Sequence, residues 1–320
     1  MEQVTGSDSG KQIASDQSMT DYWETVAPPD WSVEFKEGEW EKLSTWYATG
    51  HGFGDLRYDP FVPLMYSLRP DTLKRYRLVL DSVCRGYGLK EPMRAIMPLL
   101  IHHYAVVRYQ TGLRYEINGT RRMGISKAEV SDIFALAWLH ASTPVINELA
   151  EAHDEYMYTW AADAGPADTA PGFEWDTGWA IDNKAFECGI DFSVPHENKL
   201  LSGELEQIEE WHRRVEGDVP AYVRHAAKYY PLQLLSYRAR FETTVSGHLP
   251  KQYIALARLV LSALWHQTKP ARRALHMARY FGVTQDQAVQ ALAFAQVHGS
   301  DIGLDATFEA VEDILDNWSP

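Results

Sequence analysis

Apolar positions recur along this chain with a helical period and almost nowhere with the alternation of a strand. The segments MRAIMPLLIHHYAVVRYQ, from Met93, and KQYIALARLVLSALWHQ, from Lys251, are apolar runs of helical length. SKAEVSDIFALAWLHASTPVINELAEAHDEYMYTW, from Ser126, spaces its apolar residues three and four apart. SGELEQIEEWHRRV opens with Ser202, placed to cap the helix that follows. The pattern predicts an all-α protein.

Glycine and proline interrupt the period at three places. APPDWSVEFKEGEW is an aromatic entry segment, and ATGHGFGDLRYDPFVP reads as a loop in which Gly50–Asp55 forms a turn rather than a phosphate cradle, since no strand precedes it. The third, 161–199, is too long for a plain connection. Its aromatic residues Phe173, Trp175, Trp179, Phe186 and Phe192 predict that it packs on something, as a strap between two helical regions or as a lid over a site. The expected organisation is a disordered polar N-terminus over 1–19, a helical module over 20–160, an irregular insertion over 161–200 and a second helical module over 201–320.

The two helical regions repeat one another. GISKAEVSDIFALAWLHAS laid over GVTQDQAVQALAFAQVHGS puts Gly124 on Gly282, Ala135 on Ala293, His140 on His298 and Ser142 on Ser300, an offset of 282 − 124 = 158. The same offset carries Arg121 to Arg279, Arg114 to Arg272, Ala105 to Ala263 and Ile96 to Ile254. Farther upstream, Tyr76 and Arg77 stand opposite Tyr237 and Arg238 at an offset of 237 − 76 = 161. Two tandem pseudo-symmetric copies of one module account for this pattern.

HMARYFGVT, His276 to Thr284, followed by an Ala-rich amphipathic stretch, resembles the carboxymuconolactone decarboxylase and alkyl hydroperoxidase D-like family. The family's signature is Cys-x-x-Cys-x-x-x-His, with a glycine six residues later and a Thr or Ser that caps the next helix. The likeness covers about 93–142 and 251–300, is weaker over 40–92 and 203–250, and is absent from the insertion. It implies an all-helical fold that assembles as an oligomer. The signature histidine falls on His276 and the glycine on Gly282. Lys269 and Arg272 stand where the two cysteines would be, and in the first copy Thr111 and Arg114 do, with Asn118 at the histidine position. A thiolate is the nucleophile of the dithiol members, and neither Lys nor Arg replaces it, so thiol peroxidase chemistry is excluded. The family's cofactor-free members, which decarboxylate a lactone acid, show that the scaffold holds a small carboxylate without metal or flavin.

The residues themselves suit that chemistry. Pro270 is a favourable first helical residue, with Thr268 or Lys269 as its cap. Arg272 and His276 are four apart and share a face, so a guanidinium fork for a carboxylate stands one turn from a group that moves protons near neutral pH. His266 and Trp265 are the expected walls. Lys269, Arg114 and Asn118 complete the substrate-binding set, and the catalytic set is His276, Arg272 and His266. The alternative is that Arg272 and Arg114 are surface groups paired with acids and His276 a packing residue. His140 and His298, at equivalent positions, are expected to be structural. Without a metal-ligand spacing such as H-E-x-x-H, no metal and no cofactor are expected.

The chain of 320 residues carries a formal net charge of −14, which excludes a phosphate-backbone partner, and no run of about 18 apolar residues marks a membrane span. Cys84 and Cys188 lie in no metal or redox spacing, and the polar N-terminus has no leader character, so a reducing, cytoplasmic setting is expected. These observations point to a cofactor-independent lyase, or a related isomerase or hydrolase, on a small carboxylic acid or lactone, working as a homodimer or trimer. The competing reading is a non-catalytic small-molecule-binding or assembly member of the same family.

Overall fold

The computed structural model describes residues 31–50, 61–84, 92–122, 125–153 and 174–318, and every regular element among them is helical. The N-terminal 19 residues, the turn beyond Gly50 and the start of the insertion, 161–173, lie outside the described residues. The first half runs α1 (Glu39–Gly50), α2 (Phe61–Leu68), α3 (Pro70–Cys84), α4 (Pro92–Val107), α5 (Gln110–Arg122), α6 (Lys127–Ala141) and α7 (Ile146–Ala152). The second runs α8 (Glu204–Glu216), α9 (Ala221–Tyr229), α10 (Pro231–Thr244), α11 (Lys251–Leu264), α12 (Thr268–Tyr280) and α13 (Gln285–Asp316).

The most apolar helix is the most central one. In α11, Tyr253 to Ala257 and Leu259 to Leu261 are all buried, so water reaches this helix only along the partly exposed line of Lys251, Arg258 and Ser262. It packs on α12 and α13 and, across the halves, on α4; α10 meets α6 and α13 meets α3 in the same way. The buried cluster is therefore continuous from Val83 to Ile314.

Elements recur at a fixed spacing. α12 begins 268 − 110 = 158 residues after α5, and α13 begins 285 − 127 = 158 after α6. The local chemistry at these starts matches. At α6 the Ser126 hydroxyl accepts from the Glu129 N–H (3.2 Å), and the Glu129 carboxylate accepts from the Ser126 N–H (2.8 Å). At α13, Thr284 and Gln287 form the same capping box at 3.2 and 2.9 Å. The corners before α5 and α12 also match: Arg108 and His266, again 158 apart, take φ values of 61° and 54°, a region non-glycine residues seldom enter.

Two helix starts differ from the sequence expectation. α12 begins at Thr268 with Gln267 as its cap, so Pro270 is the third helical residue and neither Thr268 nor Lys269 caps; the left-handed turn at His266 brings the chain round early enough for the helix to start before the proline. α8 is capped by Gly203 at φ 89°, not by Ser202, with no side-chain cap, and the Glu204 carboxylate accepts from the Leu201 N–H of the preceding turn at 2.6 Å.

The described part of the insertion is fastened to both halves. Phe186 is fully buried among Trp211, Phe241 and Phe281. The Trp175 indole N–H donates to Glu129 (2.9 Å) and the Trp179 indole N–H to Gln287 (3.4 Å), so one stacked indole pair reads the capping boxes of α6 and α13 together. Gln252 bonds Ala180 and Gly178, Lys251 reaches Asp182 at 2.9 Å, and Arg238 donates to the Phe186 carbonyl.

Candidate functional site

The residues singled out on α12 do not form the site the spacing suggested. Arg272 and His276 share a face, but the Arg272 fork is closed by Asp313 of the same chain, with Nη2 to Oδ2 at 2.9 Å and Nη1 on the other oxygen and on the Ala310 carbonyl. Its carboxylate-binding capacity is spent inside the protein. Lys269 and Trp265 are exposed, and the exposed His266 ring lies over Gly303, where an added Cβ would collide with it. Arg114 approaches Glu151 at 3.8 Å, and the side chain of Asn118 lies outside the described set.

His276 is half buried, with its ring pressed on Gly217 at the end of α8. Gly217 must be glycine twice over: its φ is 82°, and a Cβ would sit 2.8 Å from the imidazole Cδ2. The Nδ1 of His276 lies 3.2 Å from Arg279 Nη2. A guanidinium only donates, so Nδ1 accepts and the ring proton sits on Nε2. Burial, then Arg279 and Arg272, push the His276 pKa down, outweighing Asp218 and Asp313. A histidine whose acceptor nitrogen is occupied and whose charged form is disfavoured is a hydrogen-bond donor, not a base.

A buried ionisable pair lies on α8. His212 (3% exposed) and Glu216 (1%) are four apart, with His212 Nδ1 2.8 Å from Glu216 Oε2. The other Glu216 oxygen takes Arg258 Nη1 of α11 at 2.8 Å, and Arg273 of α12 approaches Oε2 at 4.0 Å. Burial pushes the Glu216 carboxyl up, but Arg258 and the His212 bond outweigh it and hold it at about 2. An ionised carboxylate only accepts, so His212 donates from Nδ1. Its Nε2 is buried and has no hydrogen-bond partner among the described residues. A carboxylate fixing one imidazole nitrogen while the other makes no hydrogen bond is the arrangement of a positioned general base. Around it stand Tyr222, whose ring meets the imidazole edge-on at 6.2 Å, and Tyr237, 5.8 Å from Tyr222.

This pair carried a signal in the sequence that the motif comparison passed over. On α8 the stripe Ile208, Trp211, Val215 is apolar, and His212 and Glu216 fall on the same stripe. Two ionisable residues on the core-facing side of an otherwise charged amphipathic helix are legible as a buried pair. Their partners Arg258 and Arg273 come from helices 40 to 60 residues away, and nothing local marks them.

A second histidine group joins α4, α6 and α13. His102 Nε2 lies 2.9 Å from His140 Nδ1, His298 Nδ1 is 3.5 Å from the Tyr104 hydroxyl, and His103 and His298 face one another with ring centres 6.2 Å apart. His140 and His298 thus help to join helices, with adjacent His102 and His103 pointing to different partners. Among the described residues, no group of three or more His, Cys, Asp or Glu side chains converges as metal ligands would. Compared with family models, curated proteins and solved structures, the chain finds no significant match.

Proposed function

We propose that the chain is a cofactor-independent acid–base enzyme acting on a small carboxylic acid or lactone by decarboxylation, isomerisation or lactone opening. It is built as two fused modules of the carboxymuconolactone decarboxylase and alkyl hydroperoxidase D-like type. The observation that carries the reading is the His212–Glu216 pair: a buried imidazole oriented by an ionised carboxylate, with no hydrogen-bond partner at Nε2 among the described residues. His212 takes a proton from the substrate, Glu216 steadies the imidazolium that results, and His276 offers its Nε2 proton as a donor from the adjacent helix. The roles first read onto Arg272 and His276 move by one helix, because Asp313 occupies Arg272 and Arg279 occupies the acceptor nitrogen of His276. The 158-residue spacing of helices, caps and left-handed corners supports the two-module reading.

The net charge of −14, and the lack among the described residues of a helix long and apolar enough to cross a membrane, favour a small-molecule partner. Two modules in one chain imply a homodimer or trimer, working in the reducing cytoplasm. The non-catalytic alternative gains one observation, the closure of Arg272 by Asp313. The deciding assay screens lactones and carboxylic acids for turnover, then compares wild type with His212→Gln and Arg272→Ala on the first substrate found. His212→Gln is expected to lose about 10²- to 10⁴-fold in kcat, with Arg272→Ala close to wild type. Equal activity of wild type and His212→Gln overturns the reading.

A further inference from the structure

His212 Nε2 is buried without a hydrogen-bond partner, and charged and aromatic groups surround the His212–Glu216 pair. Arg258 uses Nη1 for Glu216 and for the Met277 sulfur (3.7 Å), while its Nη2 and Nε make no hydrogen bond among the described residues and the side chain is 25% exposed. Both tyrosine hydroxyls interact electrostatically with Arg258, and neither has a hydrogen-bond partner among the described residues. Two guanidiniums, Arg258 and Arg273, share the single Glu216 carboxylate, Arg273 also reaching toward the exposed Asp218. A cation with an open edge and two phenolic donors is a carboxylate receptor in its chemistry.

The walls are flat. The Tyr222 ring stands at 89° to the His212 imidazole and at 75° to the Tyr237 ring, and the two tyrosines are 46% and 40% exposed although both sit over buried charge. The helix carrying Tyr222 seats only Val223, in a small cluster with Ile208 and Leu234 separate from the main core. Val219 to Arg240 contains no Asp or Glu and carries Arg224, Lys228, Arg238 and Arg240, in a chain with a net charge of −14. Ring edges and faces favour a planar π-system over a puckered ring of equal size.

We propose that Tyr222 and Tyr237, with the open edge of Arg258, form a receptor for a planar aromatic carboxylate beside His212. This rests on the proton-transfer reading of His212 and names its substrate class: the carboxylate meets Arg258 and the phenols, and the ring lies against the tyrosines.

The test is calorimetric titration of the full chain with benzoate, cyclohexanecarboxylate and benzyl alcohol, which separate flatness from size and charge from shape. Benzoate is expected to bind one per chain, about 2- to 12-fold more tightly than cyclohexanecarboxylate and at least about tenfold more tightly than benzyl alcohol. Tyr222→Leu and Tyr237→Leu, at half-exposed positions that leave the melting temperature in place, should bring the ratio of the two acids to about one, while His212→Gln keeps it. No saturable benzoate binding, equal binding of the two acids, an alcohol as good as the acid, or a ratio untouched by both Tyr→Leu changes overturns the receptor. If His212→Gln keeps both the benzoate preference and full turnover, the receptor stands and only the proton-transfer reading fails.

Discussion

The histidines of this protein divide by what their ring nitrogens meet. His212 faces an anion and donates to it from Nδ1, while His276 faces a guanidinium, accepts at Nδ1 and carries its proton at Nε2. The four at the α4–α6–α13 junction mainly face one another and buried rings. Burial holds His102 and His298 to about 3 and His103 to about 4, and keeps His140, which also feels His102 and Arg258, well below its ordinary value. All four are neutral in the fold at pH 5, whereas the unfolded chain protonates them near 6.5. Between about pH 6.5 and 4 the unfolded state therefore binds the extra protons, and stability falls as pH falls, by up to about 1.4 kcal/mol per histidine per pH unit. Urea unfolding at pH 7.5, 6.0 and 5.0 should show this loss before carboxylates such as Glu216 begin to titrate. A flat profile down to pH 5 would contradict the burial of these rings.

At the scale of elements, the insertion contributes more than its irregular sequence suggests. Its indoles bind the two capping boxes, and Phe186 fills a gap among aromatic residues of α8, α10 and the end of α12. Phe186→Ala should cost about 3–5 kcal/mol through lost burial and the cavity left behind, measured as a shift in the denaturation midpoint with unchanged slope. A cost under about 1 kcal/mol would mean that the segment rests on the surface and is free to act as a lid. The aromatic spacing predicted packing but left strap and lid open, since both bury aromatics; what ties it down is Ala180 donating to Gln252 of α11, with Gly178 and Asp182 accepting from Gln252 and Lys251.

For the whole molecule, the shared core has a consequence for cooperativity. Because α11 packs on α4, α10 on α6 and α13 on α3, neither half buries its apolar face alone. Calorimetry should show one transition with matching calorimetric and van't Hoff enthalpies. Two resolved transitions would mean that the halves fold as separate domains.

The all-helical class and the amphipathic stretches were legible in the sequence, because helical period is set by residues three and four apart, whereas the caps expected at Ser202 and at Thr268 or Lys269 fall on Gly203 and Gln267. The 158-residue spacing of the helix starts was visible as a sequence offset for the same reason, since local signals mark each start. The site was legible only in part: α12 was found, while the partners of its side chains were not. Whether Arg272 receives a ligand depends on Asp313, 41 residues away, and whether His276 is a base depends on Arg279 turning to it. His212 and Glu216 stand on an apolar stripe that the sequence carries but that was not read as a site, and their charge depends on Arg258 arriving from α11. Charge, tautomer and access are properties of what surrounds a group, and only tertiary packing chooses those surroundings.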